Sequence, residues 1–331
     1  MARIVSLGSA LEDIYLIDRD DFGSIEFGNV SMFKNLEIGS KYDIEKLSFF
    51  IGGGGTNSAV TFARHGHEAI YLGNLGHDPA GEAVLKTLDE EGIDTSFISF
   101  PPRAKTGCSI ILLDSKSGER TVLTFRGASA RFDNLNENDL DLIQPDWLYV
   151  TTLRGDMGTL LRFFEKAKSL GAKIMFNPGV LELANPKQVL GLLQDVDVLL
   201  VNKREASQLV GGDLLEELLN KLKNYCPTVI ITAGAMGGIA TTQTPATAQA
   251  PASSKTYRFG IYEDIKIKDT TGAGDAFGSG FLASLAAGDS FRTALIFASA
   301  NSTSVVQRRG AKNGLLGSDV ALHPMPIQLI K

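Results

Sequence analysis

Short apolar runs rich in β-branched residues recur along the chain, at residues 4–7, 69–72, 147–150, 173–176, 196–201 and 228–232. Each is apolar almost throughout rather than alternating, which predicts strands buried on both faces, as in a parallel sheet covered by helices. Between them, residues 56–65, 80–91, 158–170, 186–194 and 214–224 place apolar side chains at helical spacing. Strand and helix in alternation predict a doubly wound α/β core. Two stretches break the rhythm. Residues 13–50 are mixed and polar, carry Gly23, Gly28 and Gly39, and show no helical period. Residues 106–125 read as two strands, GCSIILLD and RTVLTF, joined by a polar turn at 115–119, a hairpin signal. Both predict a small β unit over one end of the core; ordinary surface hairpins are the alternative. The run TQTPATAQAPASSKT at 242–256 is rich in Ala, Thr, Ser and Pro and predicts an exposed, mobile loop.

The 331 residues allow about two domains of roughly 150 residues, or one continuous α/β fold. At 44% hydrophobic the chain is too apolar for intrinsic disorder, and its 35 glycines lack the every-third period of collagen. No apolar run reaches the ~18 residues of a membrane span. The opening MARIVSLGSA lacks a signal peptide's long apolar stretch and reads as a strand beginning at Arg3. A soluble, cytoplasmic protein is the expectation. Cys108 and Cys226 lie in or beside apolar strands and argue against a disulfide framework or structural zinc site. Against 38 acidic residues stand 32 basic ones, a formal net charge of −6. The one tight basic pair, Arg308-Arg309, is too short to neutralise many phosphates. No nucleic-acid partner is expected, and a small-molecule substrate fits better.

Residues 269–285, DTTGAGDAFGSGFLASL, carry the strongest chemical signal. Asp-Thr-Thr-Gly is turn chemistry, while Phe277, Phe281, Leu282 and Leu285 are helically spaced. That sets Gly272, Ala273 and Gly274 at a helix N-terminus, with Asp275 in or beside its first turn. Backbone N–H groups there lack intrahelical partners, and the helix dipole adds about half a positive charge. Glycines let a phosphate approach the main chain with no Cβ in the way. A carboxylate beside such a pocket can take the proton of an attacking hydroxyl; a weak base suffices because the phosphoryl-transfer transition state is loose. An acid in the first turn also favours a helix start by itself, and the tetrapeptide alone leaves both readings of Asp275 open.

A second cluster, IGGGGTN at 51–57, precedes the helical SAVTFARHG. Four consecutive glycines cost backbone entropy and imply that something approaches the chain closely. Asn57 either meets a polar ligand or caps the helix. The P-loop pattern G-x-x-x-x-G-K-[ST] is absent. Neither glycine cluster completes G-x-G-x-x-G, since Phe277 and Asn57 fall where the third glycine belongs, which argues against a dinucleotide-binding dehydrogenase.

Residues 52–66 and 269–285 resemble the two signature motifs of the ribokinase-like (PfkB) carbohydrate kinase family, and the resemblance extends over nearly the whole chain. Gly8-Ser9 with Asp13 beyond matches the place of a sugar-binding aspartate. GNLGHD at 73–78, followed by Gly81, resembles the family's G-x-x-G-x-D-x-x-G passage. Asn202-Lys-Arg-Glu205 matches N-x-x-E, and Thr232-Ala-Gly-Ala-Met-Gly237 resembles the nucleotide-binding T-x-G-x-x-G. The resemblance implies a three-layer α/β/α core with a mainly parallel central sheet, formed by residues 1–12, 52–105 and 127–331. A small β lid of residues 13–51 and 106–126 would exclude water and can also form a homodimer interface.

The activity so implied is an ATP-dependent kinase acting on a primary hydroxyl of a small sugar, with a nucleoside kinase and a non-catalytic sugar or nucleotide sensor as alternatives. Asp275 would be the catalytic base over an anion hole of Gly272, Ala273 and Gly274. Asp13, Gly53 and Asn57 would hold substrate. Thr232, Gly234 and Gly237 would line the nucleotide site, with Asn301 near the base of the nucleotide. Asn202 and Glu205 would organise Mg²⁺ and phosphate through water, and Asp269 and Thr271 match positions that help bind K⁺ in some members. One departure concerns the sugar. Many ribokinases carry a glutamate after the strand at 147–150, whereas this chain reads Thr151-Thr152-Leu153-Arg154 with no acid until Asp156. A nucleoside base would need an apolar wall, for which Phe33, Phe49, Phe50 and Phe100 are candidates; packing or the lid interface is the alternative for each.

Overall fold

The structure is a computed structural model describing residues 1–17, 39, 41, 44, 46–113, 120–244 and 253–330. Phe33 and the turn at 115–119 lie outside the described residues. In chain order the strands are β1 (Arg3–Leu7), β2 (Leu11–Ile17), β3 (Lys46–Gly52), β4 (Glu68–Leu72), β5 (Gly107–Leu113), β6 (Arg120–Phe125) and β7 (Trp147–Val150). They continue with β8 (Lys173–Phe176), β9 (Val198–Asn202), β10 (Thr228–Thr232), β11 (Gly238–Thr244), β12 (Ser253–Phe259) and β13 (Ile327–Leu329). The helices are α1 (Gly54–Arg64), α2 (Pro79–Glu90), α3 (Asp139–Ile143), α4 (Met157–Ser169) and α5 (Val180–Leu183). After these come α6 (Pro186–Leu192), α7 (Lys203–Val210), α8 (Leu215–Leu222), α9 (Ala273–Ala286) and α10 (Phe291–Val306).

Among the described residues the strands form two sheets. The larger has the order β13-β12-β11-β10-β9-β8-β7-β1-β4. Its β10-to-β4 part is parallel throughout and consists of the six strands predicted from apolar runs. Alternate residues of these strands feed two cores. Leu148 and Val150 of β7 join one with Leu160 and Phe163 of α4 and Leu218 of α8; Trp147 and Tyr149 join the other with Phe62 of α1, Phe281 of α9 and Leu295 of α10. Helices therefore cover both faces, giving the expected three-layer α/β/α arrangement. Local chemistry fixes several helix starts: Asp78 accepts from Gly81 N–H at 3.0 Å before Pro79 opens α2, and Asp156 accepts from Thr159 N–H at 3.0 Å to cap α4.

β11, β12 and β13 extend the sheet with antiparallel pairing. This corrects the reading of 242–256 as a loop: Thr242–Thr244 belong to β11 and residues 253–256 to β12, paired Thr241 to Thr256 and Thr244 to Ser253. Residues 245–252 lie outside the described residues. The composition misled because threonine, frequent in polar loops, also packs well on a pleated surface. Here Thr241 Oγ1 lies 3.3 Å from Ser254 Oγ, and Thr228 Oγ1 3.2 Å from Thr242 Oγ1.

The second sheet, β3-β2-β5-β6, grows directly out of the first, since three residues separate β1 from β2. Its faces differ. Asp13, Tyr15, Ser109 and Ile111 point inward and are buried. Phe49, Ile14, Ile110 and Leu123 fall in one cross-strand row on the other side, where Phe49 and Leu123 are 57% and 55% exposed.

Candidate active site

The starts of α1 and α9 meet beside the end of β1. Gly272, with φ 77°, is the N-cap of α9, and a Cβ there would collide with Ala311. Asp275 falls in the first helical turn. Its Oδ2 accepts a 2.8 Å hydrogen bond from Asn57 Nδ2, so the carboxylate is engaged across to α1. Burial raises the Asp275 pKa, against the opposing pull of the Asn57 hydrogen bond and the Lys312 charge. A carboxylate less acidic than usual is a better proton acceptor. The space above Gly274 is open, with no atom within 4 Å of where a Cβ would stand.

α1 begins at Gly54 with Gly53 as its N-cap and no side-chain cap, so Asn57 lies a turn inside the helix and does not cap it. Its amide bridges Asp275 on one side and Lys312 Nζ, 2.7 Å from its Oδ1, on the other. The four glycines have partners, and those partners are protein. A Cβ on Gly52 would strike the Asp13 carboxylate, on Gly53 the Ser9 carbonyl, on Gly54 Thr151, and on Gly55 the Gly8 backbone and the Tyr71 ring. This tight nesting brings Asp13 and Asn57 to one place.

Asp13, on β2 opposite Phe50 and Ser109, is 5% exposed and hydrogen-bonded by Ser109. Burial pushes its pKa up to about 6, partly offset by Ser109 and Lys312. Asp269 follows a different course. Burial acts to raise its pKa, but hydrogen bonds from Tyr15, Thr271 and Gly310 outweigh it and hold the carboxylate below its ordinary range. Tyr15 O–H donates to its Oδ2 at 2.6 Å and Thr271 N–H to its Oδ1 at 2.9 Å.

The other candidates lie along the ends of β9 and β10. Asn202 and Glu205 form a reciprocal capping box: Glu205 N–H donates to Asn202 Oδ1 at 2.9 Å, and Asn202 N–H to Glu205 Oε2 at 2.8 Å. Thr232 ends β10, and Gly234 and Gly237 flank a single 3₁₀ turn with φ of 57° and 73°. Gly234 opens on empty space, whereas Gly237 is packed on the Phe259 carbonyl. Asn301 is fully buried; it donates to Ala276 O at 2.7 Å and accepts from Leu316 N–H at 2.8 Å, tying α10 to α9 and the following loop. Of the aromatic candidates, Phe50 packs edge-on against Tyr15 and Phe100 stacks on His77, while Phe49 faces outward.

Two buried charged residues escaped sequence reasoning. Lys312, in the run RRGAKNG, reads as one more surface charge but is 7% exposed. Glu182 is fully buried beneath residues 152–155, where its carboxylate accepts from Leu153, Gly155 and Gly179 N–H and from Thr152 Oγ1 at 2.7–2.9 Å. It shapes the loop after β7 that lacks the expected glutamate, and Asp156 is committed to α4.

A three-layer core whose glycine-rich helix start faces a carboxylate borne on a small second sheet fits a ribokinase-like fold. The chain belongs to the pfkB family of carbohydrate kinases, whose family pattern, described as pfkB family carbohydrate kinase, matches residues 1–316. It is a sugar kinase, a phosphotransferase with an alcohol group as acceptor. The ribokinase of Haemophilus influenzae is 28% identical over 275 residues, 80% of this chain and 83% of that protein. The fructokinase of Salmonella typhimurium is 30% identical over 249 residues, 71% and 77% of the two chains. Among solved structures, Arabidopsis thaliana ribokinase complexed with ribose and ATP matches with TM-score 0.76 and 22% identity over 96% of each chain. The Methanocaldococcus jannaschii nucleoside kinase matches with TM-score 0.74 and 20% identity, again over 96% of each. These structural matches establish the fold.

Proposed function

We propose that the protein transfers the γ-phosphoryl group of ATP to a primary hydroxyl of a small sugar, with Asp275 as general base. The observation that carries this is the 2.8 Å bond from Asn57 to Asp275, which joins the residue expected to hold substrate to the one expected to take its proton. Asp13 accepts sugar hydroxyls from the lid, and Gly53 contributes by letting α1 nest close enough to deliver Asn57. The N–H groups of Gly272 and Gly274 would face the transferring phosphoryl group, while that of Ala273 meets the Thr270 carbonyl at 3.3 Å and would have to leave it to join them. The donor lies along Asn202, Thr232, Gly234 and Gly237, with Asn301 bracing the helices beside it. The Arabidopsis ribokinase complex with ATP and a Cryptococcus neoformans ribokinase complexed with ADP support an adenine nucleotide as donor, and such a donor implies a cytoplasmic enzyme.

Glu205 and Asn202 suit hydrated Mg²⁺: the capping box fixes one Glu205 oxygen and leaves the other for a metal-bound water. When bound, the ion would neutralise phosphate charge. Asp269, held ionised, and Thr271 suit a monovalent cation such as K⁺. The exposed apolar row on the lid supports a homodimer through that face, which sedimentation would detect.

A specific observation adds a second reading of the substrate, a sugar acid. Arg126, at the end of β6, and Arg154, beyond β7, are both half-buried; after burial, the neighbouring Arg154 charge lowers the Arg126 pKa. Among the described residues neither guanidinium has an acidic partner. The test is a coupled phosphoryl-transfer assay over ribose, fructose, 2-keto-3-deoxygluconate, adenosine and cytidine. Turnover with a sugar or sugar acid supports the proposal. Turnover with nucleosides alone selects a nucleoside kinase, and ligand binding without transfer selects a sensor; either overturns it.

A further inference from the structure

Lys312 lies in the loop after α10, almost out of contact with water. Its Nζ donates to Ile51 O at 2.7 Å, Thr56 Oγ1 at 2.9 Å and Asn57 Oδ1 at 2.7 Å. An ammonium has three protons, and all three are used. The consequence for Asn57 is specific. A lysine can only donate and an ionised carboxylate can only accept, so an amide between them satisfies both in a single orientation, oxygen to Lys312 and nitrogen to Asp275. With the lysine gone, the amide oxygen loses its donor, and the bond from Nδ2 to Asp275 is left as the one contact of the pair that orients it.

The loop needs no lysine merely to stay in place. Arg64, on α1, already donates to the Lys312 carbonyl at 3.0 Å and to the Leu315 carbonyl at 3.1 Å. A buried charge is costly, and an apolar side chain of similar length would serve packing better. The charged groups facing Lys312 are Asp13 from β2, Asp275 from α9, Glu91 at the end of α2, and Arg64. Burial lowers the Lys312 pKa to about 7, against the attraction of these acids.

We propose that Lys312 is the positioning residue of the catalytic base: it locks the orientation of the Asn57 amide, and through it the Asp275 carboxylate, and sets a positive charge against the buried acids of the site. This rests on the reading of Asp275 as base. It predicts two separable effects, one on the amide and one on the charge.

Lys312→Gln keeps a donor toward Asn57 but loses the charge; Lys312→Met loses both. In protein labelled with ¹⁵N-asparagine, the Asn57 side-chain amide is identified by its disappearance in Asn57→Ala. The expected result is a protected Asn57 amide in wild type and Lys312→Gln and an unprotected one in Lys312→Met. In the pH profile of kcat, the acidic limb is expected to move to higher pH in both variants, with KM changing less than kcat. Turnover of Lys312→Met should fall about tenfold, the scale of a misaligned reacting group. Wild-type Asn57 resonances together with an unmoved acidic limb in folded variants overturn the proposal. If Lys312→Met does not fold, the acidic limb of Lys312→Gln decides: displaced supports, unmoved overturns. If wild-type protein phosphorylates none of the sugars, the kinase reading fails, and the Asn57 resonance in Lys312→Met still decides the role of Lys312.

Discussion

The two glycine-rich helix starts look alike in sequence and behave differently in the fold. At the start of α1 every glycine is filled from outside by another part of the chain: the Asp13 carboxylate, the Ser9 carbonyl, Thr151, and the backbone of Gly8. At the start of α9, Gly272 is pressed against Ala311, but Gly274 stands open. The first cluster removes side chains so that protein can nest against protein; the second leaves room that the protein does not occupy. A glycine run therefore signals close approach without saying what approaches, and only the surroundings separate a packing device from a cradle for an anion.

The largest effect that would sharpen this contrast lies beside the open cluster. Asp275→Asn keeps the shape and the bond to Asn57 but removes the proton acceptor, so turnover should fall about a hundredfold or more. A coupled assay giving near wild-type turnover would break the assignment. Next, Gly55→Ala puts a methyl within 2.8 Å of the Gly8 backbone and the Tyr71 ring. A urea titration should show a loss of about 1–3 kcal/mol; unchanged stability would mean that the nest is looser than it looks. Gly274→Ala should do the reverse. Its methyl meets nothing, and alanine in a helix gains about 0.5–1 kcal/mol over glycine, while kcat/KM drops about tenfold as the anion is crowded. Loss of stability there would place both clusters in one class.

The smallest effect concerns Asp13, which the α1 glycines accommodate. Its folded pKa of about 6 exceeds the ordinary value of 3.8, so the native state holds the proton more tightly than the unfolded chain. Stability then declines as pH rises from about 4 to 6. Asp13→Asn should lack that decline and exceed wild type by on the order of 1 kcal/mol at neutral pH, in thermal scans against pH, while losing affinity for sugar. A wild-type slope in the variant would assign the decline to another group.

What could be read in the sequence follows the physics of burial. The parallel strands announced themselves because both faces of β1, β4 and β7–β10 are covered, which requires unbroken apolar runs. β12 did not, because its exposed positions tolerate serine, threonine and lysine, and β11 did not, because its buried stretch at 238–241 is short, includes Gly238 and Thr241, and runs on into polar residues. Asp275 and Asn57 were legible because each accompanies a glycine cluster. Asn202 and Glu205 were legible as a spacing, yet that spacing also makes a capping box, and the sequence cannot separate the two roles. Lys312 and Glu182 were invisible, since a charged residue in a polar loop gives no sign that the fold will close over it.

The three-residue passage from β1 to β2 has a consequence for discrimination among substrates. Asp13 travels with the β2 sheet, whereas Asn57 and Asp275 are fixed to helices of the main body. Were the β2 sheet to swing about residues 8–10, the grip proposed for Asp13 on a sugar would shift relative to Asn57 and Asp275. A ligand too bulky for β2 to settle would be penalised twice, in how long it stays and in how often the reacting groups are complete when it does.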